Sequence, residues 1–280
     1  MTQKDTEVSV LGDGGWGTTL SLLLARKGLR VRLWGAFPDY VRQMEQKREN
    51  VKFLPGFRLH KNISLTSSLD EASRPGVIVI AFPAQHVRSV LVRLKKEKIS
   101  GKLFVIVSKG IETKSLKTLS QVTRETLGPV KIVVLSGPNI AKEVAKGVPS
   151  SAVAASKDAK AAGRVAKIFS SGSFMVYETD DMLGVELGGS LKNVIAIGSG
   201  IIEGMGFGTN TTSVVFTRGL AEIARLGIKM GAKRETFMGL SGMGDLIVTC
   251  TSHWSRNRAV GERLGRGEPI AAILDSMRQV

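Results

Sequence analysis

Apolar residues in the first 180 positions fall in short runs separated by amphipathic stretches. Val8-Ser-Val-Leu11 reads as a strand, followed by glycines and a helix from Thr18 to Lys27; Arg30 to Trp34 reads as a second strand. Val77 to Phe82 (VIVIAF) lacks polar alternation, as expected of a strand covered on both faces. Leu103 to Val107 and Lys131 to Leu135 repeat the pattern, each leading into a Gly-containing turn and a helical segment. Ala152 to Ala155 and Phe174 to Tyr177 add two short strands. Strands alternating with helices predict right-handed βαβ units and a doubly wound, mostly parallel sheet.

From about Asp180 the texture changes. Helical periodicity takes over, β-branched clusters thin out, and Gly-rich turns punctuate the segments. The expected organisation is an α/β domain over 1–179 and an all-helical domain over 180–280. Tyr177-Glu-Thr-Asp-Asp forms the junction, with Thr179 or Asp180 as helix N-cap.

Composition narrows the classes. The chain has 280 residues, 42% hydrophobic and 23% charged, enough to bury cores in about two domains and incompatible with disorder. The greasiest stretch, Val194 to Ile202, is interrupted by Gly198, Ser199 and Gly200 and flanked by Lys192 and Glu203, so no bilayer-spanning run is expected. The opening MTQKDTEVSV has no apolar core of a secretory signal, and Cys250 is the sole cysteine, in keeping with a reducing cytoplasm. Lys and Arg number 40 against 24 Asp and Glu, for a net charge of +16. The basic residues are scattered, densest from Arg93 to Lys98, and aromatics are 5%, too few to suggest base stacking. Attraction of a small anionic metabolite is the simpler use of that charge, with nucleic-acid binding the alternative.

The chemistry begins at Gly12-Asp-Gly14-Gly15-Trp16-Gly17, a G-x-G-x-x-G between a strand and a helix. Gly12 permits the tight turn, Gly14 lets backbone approach a pyrophosphate, and Gly17 lets the helix pack on the sheet. This loop predicts a Rossmann-type domain binding NAD or NADP. An NAD-selective site usually carries Asp or Glu at the end of the second strand. Here that end reads Leu33-Trp34-Gly35-Ala36-Phe37, with no acid until Asp39, which leaves the choice open with a slight lean to NADP.

Further segments follow in order: Ser108-Lys109-Gly110-Ile111-Glu112; Ser136-Gly137-Pro-Asn139-Ile-Ala141-Lys-Glu143; Glu186-Leu-Gly-Gly-Ser-Leu-Lys192-Asn193; Gly242-Met-Gly244-Asp245; and Ser255-Arg256-Asn257-Arg258. The ordered set resembles NAD(P)-dependent glycerol-3-phosphate dehydrogenase of the bacterial type, over essentially the whole chain. The resemblance implies an oxidoreductase that transfers a hydride between NAD(P)H and dihydroxyacetone phosphate to give sn-glycerol 3-phosphate, feeding glycerophospholipid synthesis. By position it implies Lys192 as general acid/base, with Lys109 and Asp245 beside it. Lys109, Gly137, Asn139, Lys192, Asp245, Ser255, Arg256 and Asn257 would surround the substrate. Gly15, Trp16, Lys109, Ala141, Arg256 and Val280 would touch the dinucleotide together with Gly12, Gly14 and Gly17. A homodimer is the candidate assembly. The chain departs from the family at Gly15, where Ser or a similar residue is commoner, and at Ala36, often His or Arg; family members also continue past the position of Val280.

The residue types suit that reaction. Hydride transfer to a ketone leaves charge on the carbonyl oxygen, and a cationic acid beside it stabilises the charge and supplies the proton. Lys192 lies in an otherwise apolar helix, where an inward charge is costly without a purpose; a lysine snorkelling to solvent is the alternative. Lys109 follows a parallel strand, where such sheets place ligands, though a surface loop lysine also fits. Asp245 could charge-balance Lys192 or merely cap a helix, and Thr249 could join that network or cap its own helix. Ser255, Arg256 and Asn257 offer phosphate donors at a helix start, with Arg258 expected in solvent. His60, His86 and His253 do not cluster, so no metal is expected. The competing readings are another two-domain NAD(P)-dependent hydroxy-acid or 6-phosphogluconate-like dehydrogenase, and a non-catalytic basic nucleotide- or nucleic-acid-binding relative.

Overall fold

The computed structural model describes residues 6–276. Its eight strands are β1 (Glu7–Leu11), β2 (Arg30–Trp34), β3 (Ile63–Thr66), β4 (Val77–Ile80), β5 (Leu103–Ile106), β6 (Lys131–Ser136), β7 (Ser150–Ala155) and β8 (Phe174–Thr179). They form one sheet in the order β3-β2-β1-β4-β5-β6-β7-β8. The pairings from β3 across to β6, and β7 with β8, are parallel. The chain therefore winds outward from β1 in one direction and from β4 in the other. Between those strands lies the reversal at which doubly wound sheets open a crevice beyond their carboxyl ends.

The interleaved helices are α1 (Gly15–Arg26), α2 (Pro38–Lys47), α3 (Leu69–Ser73), α4 (Val87–Leu94), α5 (Leu119–Leu127), α6 (Ala141–Lys146) and α7 (Ala159–Phe169). They cover both faces, so all four residues of β4 and of β5 are buried. That burial is the physical source of the unbroken apolar runs in the sequence. The edge strand β3 escapes such a reading: its four residues, ISLT, bury only Ile63 and Thr66.

The rest is helical: α8 (Met182–Gly204), α9 (Thr209–Lys229), α10 (Arg234–Met238), α11 (Asp245–Thr251), α12 (Arg256–Gly265) and α13 (Ile270–Ser276). Two compact units result. The first runs to Leu135 and resumes over Ala141–Met182; the second takes Ser136–Ile140 and the chain from Leu183 onward. The division falls three residues past the expected 179/180 boundary, and the loop 136–140 groups with the helices.

Two local expectations change. The N-cap expected at Thr179 or Asp180 gives way to a helix that starts at Met182, because β8 keeps the chain extended through Thr179; that hydroxyl accepts the Asp181 N–H at 3.4 Å. The interrupted apolar stretch 194–202 belongs to one 23-residue helix, α8, long and apolar enough by length and composition to span a bilayer. Half of an 18-residue window of that helix is buried inside the structure, and Lys192 lies buried midway along it, as in a core helix. Its glycines do not break it, and two of them, Gly200 and Gly204, are where α12 packs against it.

Candidate active site

In the first unit the glycine loop is shaped by near-contacts that a side chain would destroy. Gly12 has φ +119°, and a Cβ there would lie 2.6 Å from the Ala81 carbonyl oxygen beyond β4. A Cβ on Gly17 would collide with the Gly12 carbonyl, so α1 starts directly against the turn. Gly14, the residue before α1, has ordinary extended backbone and nothing within 4 Å of a Cβ placed on it. The first and third glycines are thus required by protein, whereas the second faces open space at the N-terminus of α1. Free N–H groups of that first turn and an uncrowded approach suit a pyrophosphate, so these residues fit a dinucleotide.

A segment with no periodic signal in the sequence braces this loop. Asn50 is fully buried, and its Nδ2 donates to the Asp13 carbonyl and to Thr18 Oγ1, both at 2.7 Å. Its Oδ1 accepts from the Tyr40 hydroxyl and from the Phe53 N–H. The same segment accounts for Gly15: a Cβ there would approach the Phe53 carbonyl oxygen to 2.9 Å. Gly15 is thus a packing requirement of this chain, and Trp16 beside it packs on the sheet core. Ala141 opens α6, and its carbonyl accepts from Thr19 Oγ1 of α1 at 3.1 Å, which fastens it to the glycine-loop helix.

Lys109 stands just past β5, half-buried. Its loop is tied to the end of β4 by Ser108 Oγ, which donates to the carbonyls of Ile80 (3.1 Å) and Phe82 (2.6 Å). Gly110 takes φ +143° against Ala84. Beyond it, Arg88 makes a two-pronged bond to Glu112, both contacts 2.8 Å. Those bonds, with help from the Ser115 hydroxyl, pull the Glu112 carboxyl down to about 2. Lys109 and the glycine loop therefore flank the carboxyl end of β4.

In the second unit two glycine contacts deliver the charged pair. Gly188 on α8 admits the Ser241 carbonyl: a Cβ there would lie 2.5 Å from that oxygen. Ser241 belongs to a π-helical turn, Leu240–Gly244, that leads straight into α11. Four residues beyond Gly188 on the same face stands Lys192, and four beyond Ser241 stands Asp245. The Lys192 ammonium donates to the Asp245 carboxylate and, at 2.6 Å, to Thr249 Oγ1, which itself donates to the Asp245 carbonyl. Lys192 is 6% exposed and Asp245 1%. Of the alternatives left open by sequence, the structure shows the inward lysine and the charge-balancing carboxylate. Cys250, the next residue after Thr249, has its thiol pushed up to about 11 by burial, with the Lys192 charge opposing.

The loop that carries Gly137 and Asn139 reaches this region: a Cβ on Gly244 would touch Pro138 Cγ at 3.5 Å. Ser255 caps α12, its Oγ accepting the Arg258 N–H at 3.2 Å, and Arg256 opens the helix exposed, with Asn257 half-buried. Arg258 corrects the expectation of a solvated neighbour. It is 5% exposed, ion-paired to Glu203 of α8 and to Glu262, and it also donates to the Ser252 carbonyl. Sequence spacing could not reveal this, because its partner lies 55 residues away. Val280 lies outside the described residues.

Known proteins resemble the chain over nearly its whole length. Family models of the NAD-dependent glycerol-3-phosphate dehydrogenase N-terminus and C-terminus match residues 7–162 and 181–280. The glycerol-3-phosphate dehydrogenase (NAD(P)+) of Geobacter metallireducens is 48% identical over 278 residues, 98% of this chain and 83% of that protein. Its counterpart in Moorella thermoacetica is 45% identical over 274 residues, 98% and 82% of the two chains. The crystal structure of glycerol-3-phosphate dehydrogenase from Coxiella burnetii superposes with a TM-score of 0.96 at 36% identity, covering 99% of this chain and 85% of that one.

Proposed function

This chain belongs to the NAD-dependent glycerol-3-phosphate dehydrogenase family, and we propose that it interconverts dihydroxyacetone phosphate and sn-glycerol 3-phosphate with Lys192 as the acid. The observation that carries the assignment of roles is the buried Lys192–Asp245–Thr249 triad. Isolated in the interior, an ammonium is costly; paired and hydrogen-bonded, it is held in one orientation as a proton source.

The dinucleotide, when bound, supplies the hydride that reaches C2 of the ketone. Lys192 stabilises the negative charge that develops on the C2 oxygen and gives that oxygen its proton, becoming neutral; in the reverse direction it takes the proton back. Asp245 and Thr249 fix the ammonium in one orientation, ready to hand its proton to the substrate oxygen. Arg256, exposed at the first position of α12, offers a planar fork for the phosphate, with the free N–H groups of the helix start behind it. Asn257 and Ser255 stand beside it, and Gly137 and Asn139 belong to a loop near Asp245, which supports their place around the triose. Lys109, held at the end of β5, adds a second cation for an anionic substrate and cofactor.

Reduction of dihydroxyacetone phosphate, followed by loss of nicotinamide absorbance with NADH and with NADPH, tests the reading. Turnover with the phosphate and little with dihydroxyacetone is the expected result. Equal turnover of the two would remove the phosphate from the specificity.

A further inference from the structure

Asp13, between the first two loop glycines, is a charge that the pyrophosphate site leaves unused. Its Oδ2 is buried with no hydrogen-bond partner among the described residues, while the residue itself stays partly exposed. That oxygen occupies the place where a side chain at position 35 would begin: a Cβ on Gly35 would lie 2.5 Å from Asp13 Oδ2 and 2.7 Å from Val41 Cγ2. Gly35 directly follows β2, the strand whose end supplies the ribose-binding acid in NAD-selective sites. The strand end has no acid of its own, yet a carboxylate arrives there from the neighbouring loop.

We propose that Asp13 replaces the missing acid of β2, accepts a hydrogen bond from the adenosine ribose 2′-hydroxyl, and makes the site selective for NADH over NADPH. This rests on the dinucleotide reading above and deepens it by assigning the cofactor preference. The carboxyl is not needed to hold the loop, because Asn50 secures Asp13 through its backbone carbonyl. An unmet acceptor shut away from water costs free energy that a hydroxyl donor would return. Rotation about χ2, which is broad for Asp, can swing the unmet oxygen toward the open side of the residue. Burial raises the carboxyl's pKa, against the Asp13 backbone N–H and the Lys52 charge, which lower it. Lys52 keeps its ammonium 5.0 Å above the Phe53 ring. A 2′-phosphate would set its charges against this carboxylate, so the proposed preference runs opposite to the slight lean to NADP drawn from the missing acid at the end of β2.

The test is direct binding of NADH and NADPH to the whole chain, read from quenching of tryptophan emission, in the parent and in Asp13→Ala and Asp13→Asn variants. The parent should bind NADH about tenfold more tightly, and Asp13→Ala should erase most of that ratio chiefly by strengthening NADPH. Asp13→Asn, which keeps an acceptor without charge, should fall between. A parent that binds NADPH as well as NADH, or a ratio unchanged in Asp13→Ala, overturns the proposal. Should the alanine variant not fold, competition in the parent decides: ADP must displace NADH better than adenosine 2′,5′-bisphosphate does, and the reverse order overturns the proposal. A folded parent that binds neither dinucleotide overturns the dinucleotide reading itself, and this proposal with it.

Discussion

Gly204 of α8 and Gly265 of α12 meet backbone to backbone: a Cβ on either would come within 3.0 Å of the other's Cα. One turn earlier on each helix the contact repeats, since a Cβ on Gly200 would run into the Arg258 carbonyl and one on Gly261 into that of Ile197. Two small residues four apart on each helix let the axes approach closely. The helix that carries Lys192 thereby fixes the helix that begins with Arg256.

Gly261→Ala should therefore force the helices apart and cost about 1–3 kcal/mol, the usual penalty of overpacking. Substrate KM should rise while NAD(P)H affinity stays at the parent value, because the dinucleotide loop lies in the other unit. Gly198→Ala is the control. Nothing lies within 4 Å of a Cβ there, and Gly in mid-helix is about 0.5–1 kcal/mol worse than Ala, so this change should stabilise. Paired urea titrations would show the opposite signs, and equal shifts in one direction would refute the crossing argument.

The same contacts explain what the sequence reveals and what it hides. Val77–Ile80 and Leu103–Ile106 read as buried strands because burial on both faces leaves no polar alternation. Lys192 stands out because it is a charge inside an apolar run. Asn50 and Arg258 are equally buried but give no such signal: Asn50 sits in an irregular loop, and Arg258 looks like one more cation beside Arg256. Gly15 reads only as a departure from the commoner Ser until the Phe53 carbonyl is seen against it. Patterns report burial of whole elements; they do not report which loop residue meets which.

The glycine loop separates folding from binding. Gly14 has φ −69° and ψ 176°, angles any residue adopts, and open space around its missing Cβ. Gly14→Val should hold the parent's unfolding free energy within about 0.5 kcal/mol, as surface changes do, and still lose dinucleotide binding. Gly12→Val should lose both, since φ +119° and the Ala81 carbonyl oppose any side chain. A Gly14→Val protein that binds NADH normally would show that the pyrophosphate lies elsewhere.

Glu112 anchors the loop that carries Lys109, and its carboxyl sits at about 2, below its ordinary 4.5, chiefly through the Arg88 bonds and then the Ser115 hydroxyl. A depressed carboxyl contributes stability above its unfolded pKa and loses it as pH falls through the folded value. The loss should thus accumulate between about 4.5 and about 2. Glu112→Gln removes the titration, so its unfolding midpoint should change less than the parent's across that window. Parallel acid profiles in the two proteins would contradict the anchor.

Cys250 tests the environment of Lys192 independently of activity. A thiol pushed up to about 11 holds little thiolate at neutral pH, and burial adds a steric barrier. Alkylation of the native protein should be far slower than of the urea-unfolded chain. A native rate equal to the unfolded one would mean that α11 does not stay packed on α8.

Lys192→Met is the natural test of the acid, but the structure makes it a double-edged one. The substitution leaves Asp245, 1% exposed, without its counter-charge. Breaking a buried pair from one side typically costs about 3–5 kcal/mol, enough to blur lost chemistry with lost folding. Pairing it with Asp245→Asn removes both charges and keeps the volume nearly constant. The double variant should therefore unfold at a higher urea concentration than Lys192→Met alone. If Lys192 supplies the proton, kcat should stay lower than the parent's by about 10²–10⁴ in both, since restored stability does not restore an acid. Dinucleotide affinity, measured by fluorescence, should match the parent throughout. Single-turnover reduction of dihydroxyacetone phosphate at saturating cofactor makes the comparison cleanly. Recovery of the parent rate in the double variant would reduce Lys192 to half of a structural ion pair, and Lys109 would be the next lysine to replace.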